Sequence, residues 1–330
     1  MKSRYYCFQH LGGPEVLEMR EETLDPPGPG QVLVQQKIIG LNFTDINLRR
    51  GDHPEPPLFP QRIGQEAAGI VAAVGPGVTE FAPGSRVAYA TRPPAAYCEA
   101  RLISADRLVP VPDAVSLAAA ASGLLKGMTA EFLIHRIKAV QPGDHVVVYA
   151  AAGGVGQILC RWLQAKGAHV IPVVGSQVKV PAARAASGSE TVLVLHQDDI
   201  AACVRSLTGG QMADIVYDSL GAVSFEQSLA ALRPKGMFVA FGAASGQIPP
   251  MSPIRLGAQG SLIMTWARIG DYIATREELT ASAARVFQAH EEGILTLQPQ
   301  QIFAFEEAAK AHRAMENSEL IGPSVLSVPE

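Results

Sequence analysis

At 330 residues the chain exceeds the size at which a single hydrophobic core usually stops growing, which implies two domains. Its 48% hydrophobic and 18% charged residues suit an ordinary globular protein, and a formal net charge of -4 supplies no basic field for nucleic acid or anionic membrane. The scattered cysteines Cys7, Cys98, Cys160 and Cys203 form no CxxC pair, which excludes a disulfide framework and a zinc knuckle. The opening MKSRYYCFQH lacks the apolar run of about 7 to 15 residues that a secretory signal needs. No uninterrupted apolar stretch reaches bilayer length, so a cytoplasmic protein is expected.

In chain order, the first third is punctuated by DPPGPG at 25–30, HPEPP at 53–57, GPG at 75–77 and RPP at 92–94. Between them lie short β-like runs over 31–39, 68–74, 86–90 and 102–109, which predict a small, irregular all-β domain. From Val115 to Ile137 an alanine- and leucine-rich stretch has helical spacing. Strand and helix then alternate: strands over 145–149, 168–174, 215–217, 237–241 and 262–266, with helices over 155–166 and 224–232. Near-continuous apolar strands of this kind belong to a parallel sheet covered on both faces. Helical spacing returns over 277–290 and 305–316. The expected domains are 1–125, rejoined by 295–330, and 126–294.

The sharpest motif is Ala151-Ala152-Gly153-Gly154-Val155-Gly156, placed after a predicted strand and opening a predicted helix. Gly153, Gly154, Val155 and Gly156 then bring backbone N–H groups and the positive end of a helix dipole to a pyrophosphate. At the end of the second strand an NAD site usually carries an Asp or Glu for the ribose 2′-hydroxyl. Here the chain reads Gly175, Ser176 and, three residues later, Lys179, with no acid. That pattern suits the 2′-phosphate of NADPH, unless Lys179 is a solvated surface lysine.

Ordered blocks along the whole chain carry a resemblance. They are Gly40-Leu41-Asn42-Phe43-Thr44-Asp45-Ile46-Asn47 with Arg50-Gly51, then Gly64-Gln65-Glu66-Ala67-Ala68-Gly69 and Gly84-Ser85-Arg86-Val87. Leu125-Lys126-Gly127-Met128-Thr129-Ala130, the glycine turn, Tyr217-Asp218-Ser219-Leu220-Gly221, Phe241-Gly242 and Thr275-Arg276-Glu277-Glu278-Leu279 follow. The chain resembles the zinc-independent quinone oxidoreductase (zeta-crystallin-like) branch of the medium-chain dehydrogenase/reductase superfamily. The resemblance implies an α/β protein: a GroES-like β-barrel catalytic domain and a Rossmann doubly wound parallel-sheet domain, with the active site in the cleft. It also implies a homodimer formed through the strand near Leu262–Trp266, which would cap an exposed sheet edge.

Zinc-dependent relatives have a cysteine near residues 42–47 and a Gly-His-Glu motif. Here Gln65 replaces the histidine and no cysteine is present, so no metal is expected. Without a Lewis acid the expected reaction is NADPH-dependent reduction of quinones or related conjugated carbonyls, whose developing charge needs only hydrogen bonds. Polar groups of the 42–53 segment are expected to meet that charge while solvent supplies the proton. Asn42 is the first candidate, for the substrate or for the nicotinamide carboxamide, the alternative being an Asx-type turn. Asp45 orients Asn42 or caps a helix. Asn47 and His53 stand where many relatives carry tyrosines, and His53 is either an acid–base group or a loop histidine.

On the cofactor side the resemblance adds Lys126, Thr129, Ser219, Phe241, Gly242 and Ser245 to the expected NADPH contacts. It also notes Leu195 at a position that often helps bind the 2′-phosphate, with His196 one residue later. Two alternatives stay open: an enoyl or 2-alkenal reductase of the same fold, or a non-catalytic NADPH binder with an RNA-binding or structural role.

Overall fold

The computed structural model describes residues 1–329. The chain divides into two compact units, Met1–Met128 with the chain from Ile273 onward, and Thr129–Tyr272.

In the first unit, Glu18–Thr23, Lys2–Phe8 and Gln61–Arg62 form a three-stranded antiparallel sheet. A larger sheet runs Gln301–Ala304, Ser324–Ser327, Gln31–Gly40, Glu66–Val74, Arg86–Ala90, Val109–Pro110, with Ala100–Ser104 also paired to Gln31–Gly40. The C-terminal segment therefore rejoins the N-terminal β-structure through Val325, which pairs with Gly40. Val32, Val34, Ile39, Tyr89, Tyr97 and Phe305 share its core.

Between the strands Gln31–Gly40 and Glu66–Val74 the chain makes one helix, Phe43–Arg50. It starts at extended Asn42 and stops at left-handed Gly51 (φ 88°). Ile46 and Leu48 are buried on its inner face. Gly40 is required where it stands. A Cβ there would strike the Ala121 carbonyl oxygen and the Glu66 carboxylate, so strand end, helix backbone and carboxylate are pressed together.

The second unit is a six-stranded parallel sheet in the order Leu193–Val194, His169–Val174, His145–Val148, Ala213–Asp218, Leu232–Ala240, Ile263–Trp266. In sequence terms this is the order 3-2-1-4-5-6 of the Rossmann fold, whose switch point lies between His145–Val148 and Ala213–Asp218. Val147, Val173, Val216 and Phe238 belong to one buried cluster, as expected of strands covered on both faces.

The structure changes two expectations. The helix Arg276–Glu291 sits with the first unit, not inside 126–294. Its Arg276 donates to the carbonyls of Asp106 and Leu108 and pairs with Glu80, while Val286 lies against Gly127. Helical spacing reports an apolar face but not what that face meets. The run 102–109 is broken, because a 3₁₀ turn at Ala105–Arg107 separates Ala100–Ser104 from Val109–Pro110. The helix from Leu117 to Ile137 is long and apolar enough to cross a membrane, yet 83% of its apolar window is buried within the protein, as in a core helix.

Candidate active site

Four loops leave the carboxyl ends of the parallel strands, and each carries expected cofactor residues. After His145–Val148 the chain turns through Ala150 (φ 51°) and enters the helix Gly154–Ala165. Among the described residues no side chain caps that helix, which leaves its first-turn N–H groups available to an anion. A Cβ on Gly156 would run into the Ala150 carbonyl oxygen, so only glycine lets helix and strand approach this closely. Val155, half-buried, lies between Gly154 and Gly156 in the first turn of the helix.

After His169–Val174 come exposed Gly175, half-buried Ser176 and Lys179. Burial lowers the Lys179 pKa, and among the described residues no carboxylate pairs with it. A partly desolvated cation with no counter-ion suits an anionic ligand such as a 2′-phosphate. Leu195 is packed into the core instead, whereas His196 is exposed with left-handed backbone (φ 68°). Gln177 donates to Gln197 at 3.0 Å across the same loops.

The loops after Ala213–Asp218 and Leu232–Ala240 are joined backbone to backbone. The N–H groups of Phe241, Ala244 and Ser245 donate to Asp218, Ser219 and Leu220 at 2.9, 3.1 and 2.8 Å. Ser245 Oγ donates to the Leu220 carbonyl (2.7 Å) and accepts from the Val223 N–H (3.2 Å), so its hydroxyl braces the turn. Gly242 fits because a Cβ there would press on the Ser219 backbone at 2.8 Å. Ser219 is half-buried beside it. Asp218, given no role by the sequence, organises this edge: it accepts from the N–H groups of Leu220 (2.7 Å) and Gly221 (3.1 Å) and from Ser228 Oγ (3.0 Å). Burial raises its pKa.

The first unit holds a separate buried polar cluster. Its hub is Glu66, fully buried, which accepts from Asn42 Nδ2 and Lys126 Nζ at 3.0 Å each and from the Leu125 N–H at 2.6 Å. Asn42 caps the helix Phe43–Arg50 through its backbone, whose N–H donates to Asp45 Oδ2 at 3.2 Å; its side chain makes no capping hydrogen bond. Asp45 Oδ2 also accepts from Tyr97 Oη at 3.3 Å, and Tyr97 Oη lies 3.0 Å from His312 Nε2. Burial pushes Asp45 up to about 7, raises Tyr97 well above its ordinary value, and lowers His312 to about 3.

Asn42, Asp45 and Lys126 are thus brought together, while Asn47 and His53 are not. The half-buried Asn47 uses its carbonyl to stop the helix, accepting from Gly51, Asp52 and His53. His53 Nε2 lies 3.0 Å from Arg92 Nη1, and its Nδ1 lies by the Glu55 backbone. Gln65 Nε2 reaches Thr44 Oγ1 at 3.5 Å. Thr129 is half-buried on the helix Leu117–Phe132. Among the described residues, no group of three or more His, Cys, Asp or Glu is placed to hold a metal ion.

Two family models match the chain: the alcohol dehydrogenase GroES-like domain over residues 28–140 and the zinc-binding dehydrogenase over residues 154–284. A quinone oxidoreductase of Pseudomonas aeruginosa is 40% identical over 97% of this chain and 98% of its own. A 2-haloacrylate reductase of a Burkholderia species is 40% identical over 96% of each. Among solved structures, Escherichia coli quinone oxidoreductase complexed with NADPH superposes with a TM-score of 0.95 at 36% identity, covering 98% of this chain and 99% of that one. With its GroES-like and Rossmann domains, the chain belongs to the zinc-independent quinone oxidoreductase branch of the medium-chain dehydrogenase/reductase superfamily.

Proposed function

We propose that this protein is an NADPH-dependent quinone reductase that works without a metal. The observation that carries the reading is the end-to-end likeness to quinone oxidoreductases, one of them complexed with NADPH. The nucleotide residues fit that cofactor: the close approach permitted by Gly156 and, among the described residues, the helix at Gly154 with no side-chain cap and Lys179 with no carboxylate partner. Bound NADPH supplies a hydride, and the balanced reaction is quinone plus NADPH plus a proton giving hydroquinone plus NADP⁺.

In the proposed division of labour, Gly153, Gly154, Val155 and Gly156 present N–H groups to the pyrophosphate, and Gly175, Ser176 and Lys179 hold the 2′-phosphate. Ser219, Phe241, Gly242 and Thr129 line the nicotinamide half, with Ser245 bracing the turn. On the substrate side Asn42 and Lys126 are the polar groups, and Asp45 positions Asn42. Asn47 shapes the segment through its carbonyl, and His53 lies beside Arg92.

A conjugated alkene is the second acceptor class, favoured by the equal identity to a 2-haloacrylate reductase. Turnover of NADPH by 1,4-benzoquinone against a simple enone tests both. Strong turnover of the enone alone would replace quinone with alkene in the reading.

The protein is further proposed to act in the cytoplasm as a homodimer. The strand Ile263–Trp266 is paired on one side only, and its Ile263 and Trp266 are 49% and 39% exposed. Such an edge invites a second copy. The four cysteines are free thiols, which suits a reducing compartment.

A further inference from the structure

The hydrogen bonds around Glu66 fix which groups of the cluster still have donors to offer. A carboxylate only accepts, so the Asn42 amide cannot turn over without setting oxygen against oxygen. The Asn42 Nδ2 also lies 3.4 Å from the Gly40 carbonyl. Both amide hydrogens are therefore directed into the protein, and what Asn42 can show a ligand is Oδ1, an acceptor. A quinone carbonyl is an acceptor too. Asn42 is therefore poorly suited to stabilise the oxygen on which charge develops.

Lys126 is the reverse. Its ammonium has three N–H groups, one of them on Glu66 Oε2, and no other described residue takes the remaining two. Its side chain is only 7% exposed, against a carboxylate with no exposure, so a hydrogen bond from it acts in a weakly screened environment.

We infer that Lys126, not Asn42, donates the hydrogen bond to the substrate carbonyl oxygen, and that Glu66 is the positioning residue that orients both side chains. This deepens the quinone-reductase reading and rests on it. As hydride adds to the conjugated system, the displaced electron pair moves onto the carbonyl oxygen and a Lys126 N–H meets it. Solvent then protonates that oxygen, and Lys126 keeps its own proton. The role differs from the cofactor contact that the sequence suggests for this lysine.

The test compares wild type with Lys126→Met/Glu66→Gln, which removes both buried charges together, and with Lys126→Arg, which keeps a cation on Glu66. Acceptors are 1,4-benzoquinone and the less electrophilic tetramethyl-1,4-benzoquinone; NADPH affinity is read separately from cofactor fluorescence. The double variant is expected to lose about 10²- to 10³-fold in kcat/KM on the weaker acceptor. The loss on 1,4-benzoquinone should be several-fold smaller, with NADPH affinity held and Lys126→Arg retaining most activity.

Equal losses on both acceptors, or none, with NADPH still bound, would overturn the role of Lys126 and leave the quinone-reductase reading intact. If the double variant does not fold, an inactive, folded Lys126→Arg that binds NADPH does the same. A wild type that turns over neither acceptor would overturn the reading and the inference with it.

Discussion

Replacing Asp45 with asparagine should change how the first unit's stability depends on pH. Asp45 is fully buried; Oδ2 accepts from the Asn42 N–H and Tyr97 Oη, whereas Oδ1 has no partner among the described residues. Burial raises the carboxyl from 3.8 to about 7. Between those values the unfolded chain has lost the proton and the folded chain still holds it, so stability is present at low pH and drains away as pH rises toward about 7. From pH 5 to pH 8 the wild type should lose about 2–3 kcal/mol through this one group, at about 1.4 kcal/mol per pH unit until the folded form ionises.

Asparagine cannot ionise, so Asp45→Asn should lack that slope. It should carry instead a pH-independent penalty of about 1–3 kcal/mol, because its amide N–H₂ would occupy the unpartnered Oδ1 position. Hydrogen exchange of the amides in Gln31–Gly40, measured for both proteins from pH 5 to pH 8, reports the opening of this unit alone. The variant should gain on the wild type by about 2–3 kcal/mol across the range. A difference that stays constant, or one that moves the other way, would refute the reasoning.

Other outcomes follow from the same geometry. Lys179→Ala should weaken NADPH binding about 10- to 100-fold, the loss of one hydrogen bond to a charged group, while NADH binding stays within about twofold; titration by cofactor fluorescence reads both. Gly156→Ala should abolish tight binding of either nucleotide and lower the melting temperature, because its Cβ meets the Ala150 carbonyl. Tyr97→Phe, which removes one of the two donors to Asp45 Oδ2 and the hydroxyl beside His312 Nε2, should cost about 1–3 kcal/mol in denaturant unfolding without changing NADPH affinity. Ile263→Lys combined with Trp266→Lys should turn the proposed dimer into a monomer in light scattering, and a wild type that is already monomeric would refute the dimer.

The second unit was the more legible in sequence. Its strands are short apolar runs, and the glycine turn at 153–156 sits between a strand and a helix in the one order that makes a phosphate site. Lys179 stood out because an acid was missing where NAD sites have one. The first unit was harder, because its strands alternate irregularly between prolines and glycines, and the helix Phe43–Arg50 has only two buried apolar residues.

The hub of the polar cluster was visible but unread. Glu66 opens a run of small apolar residues, EAAGIVAAV, and a carboxylate entering such a strand must find partners. Those partners come from Asn42 and Lys126, far away in sequence, so no local pattern could supply them. Asp45 was legible as a helix-start acid, but its burial beneath Tyr97 and His312 depends on a C-terminal helix that lies more than two hundred residues later. For His53, residue type alone left acid–base group and loop histidine open, and it does not reveal Arg92 at its Nε2.

The most direct test of the account is oxidation of NADPH and NADH, side by side, by purified chelator-treated protein given 1,4-benzoquinone, 9,10-phenanthrenequinone and a simple enone. Rapid quinone-dependent oxidation that prefers NADPH and survives the chelator is the predicted result. Tight NADPH binding with no acceptor turned over, or activity that disappears with the chelator, would contradict it.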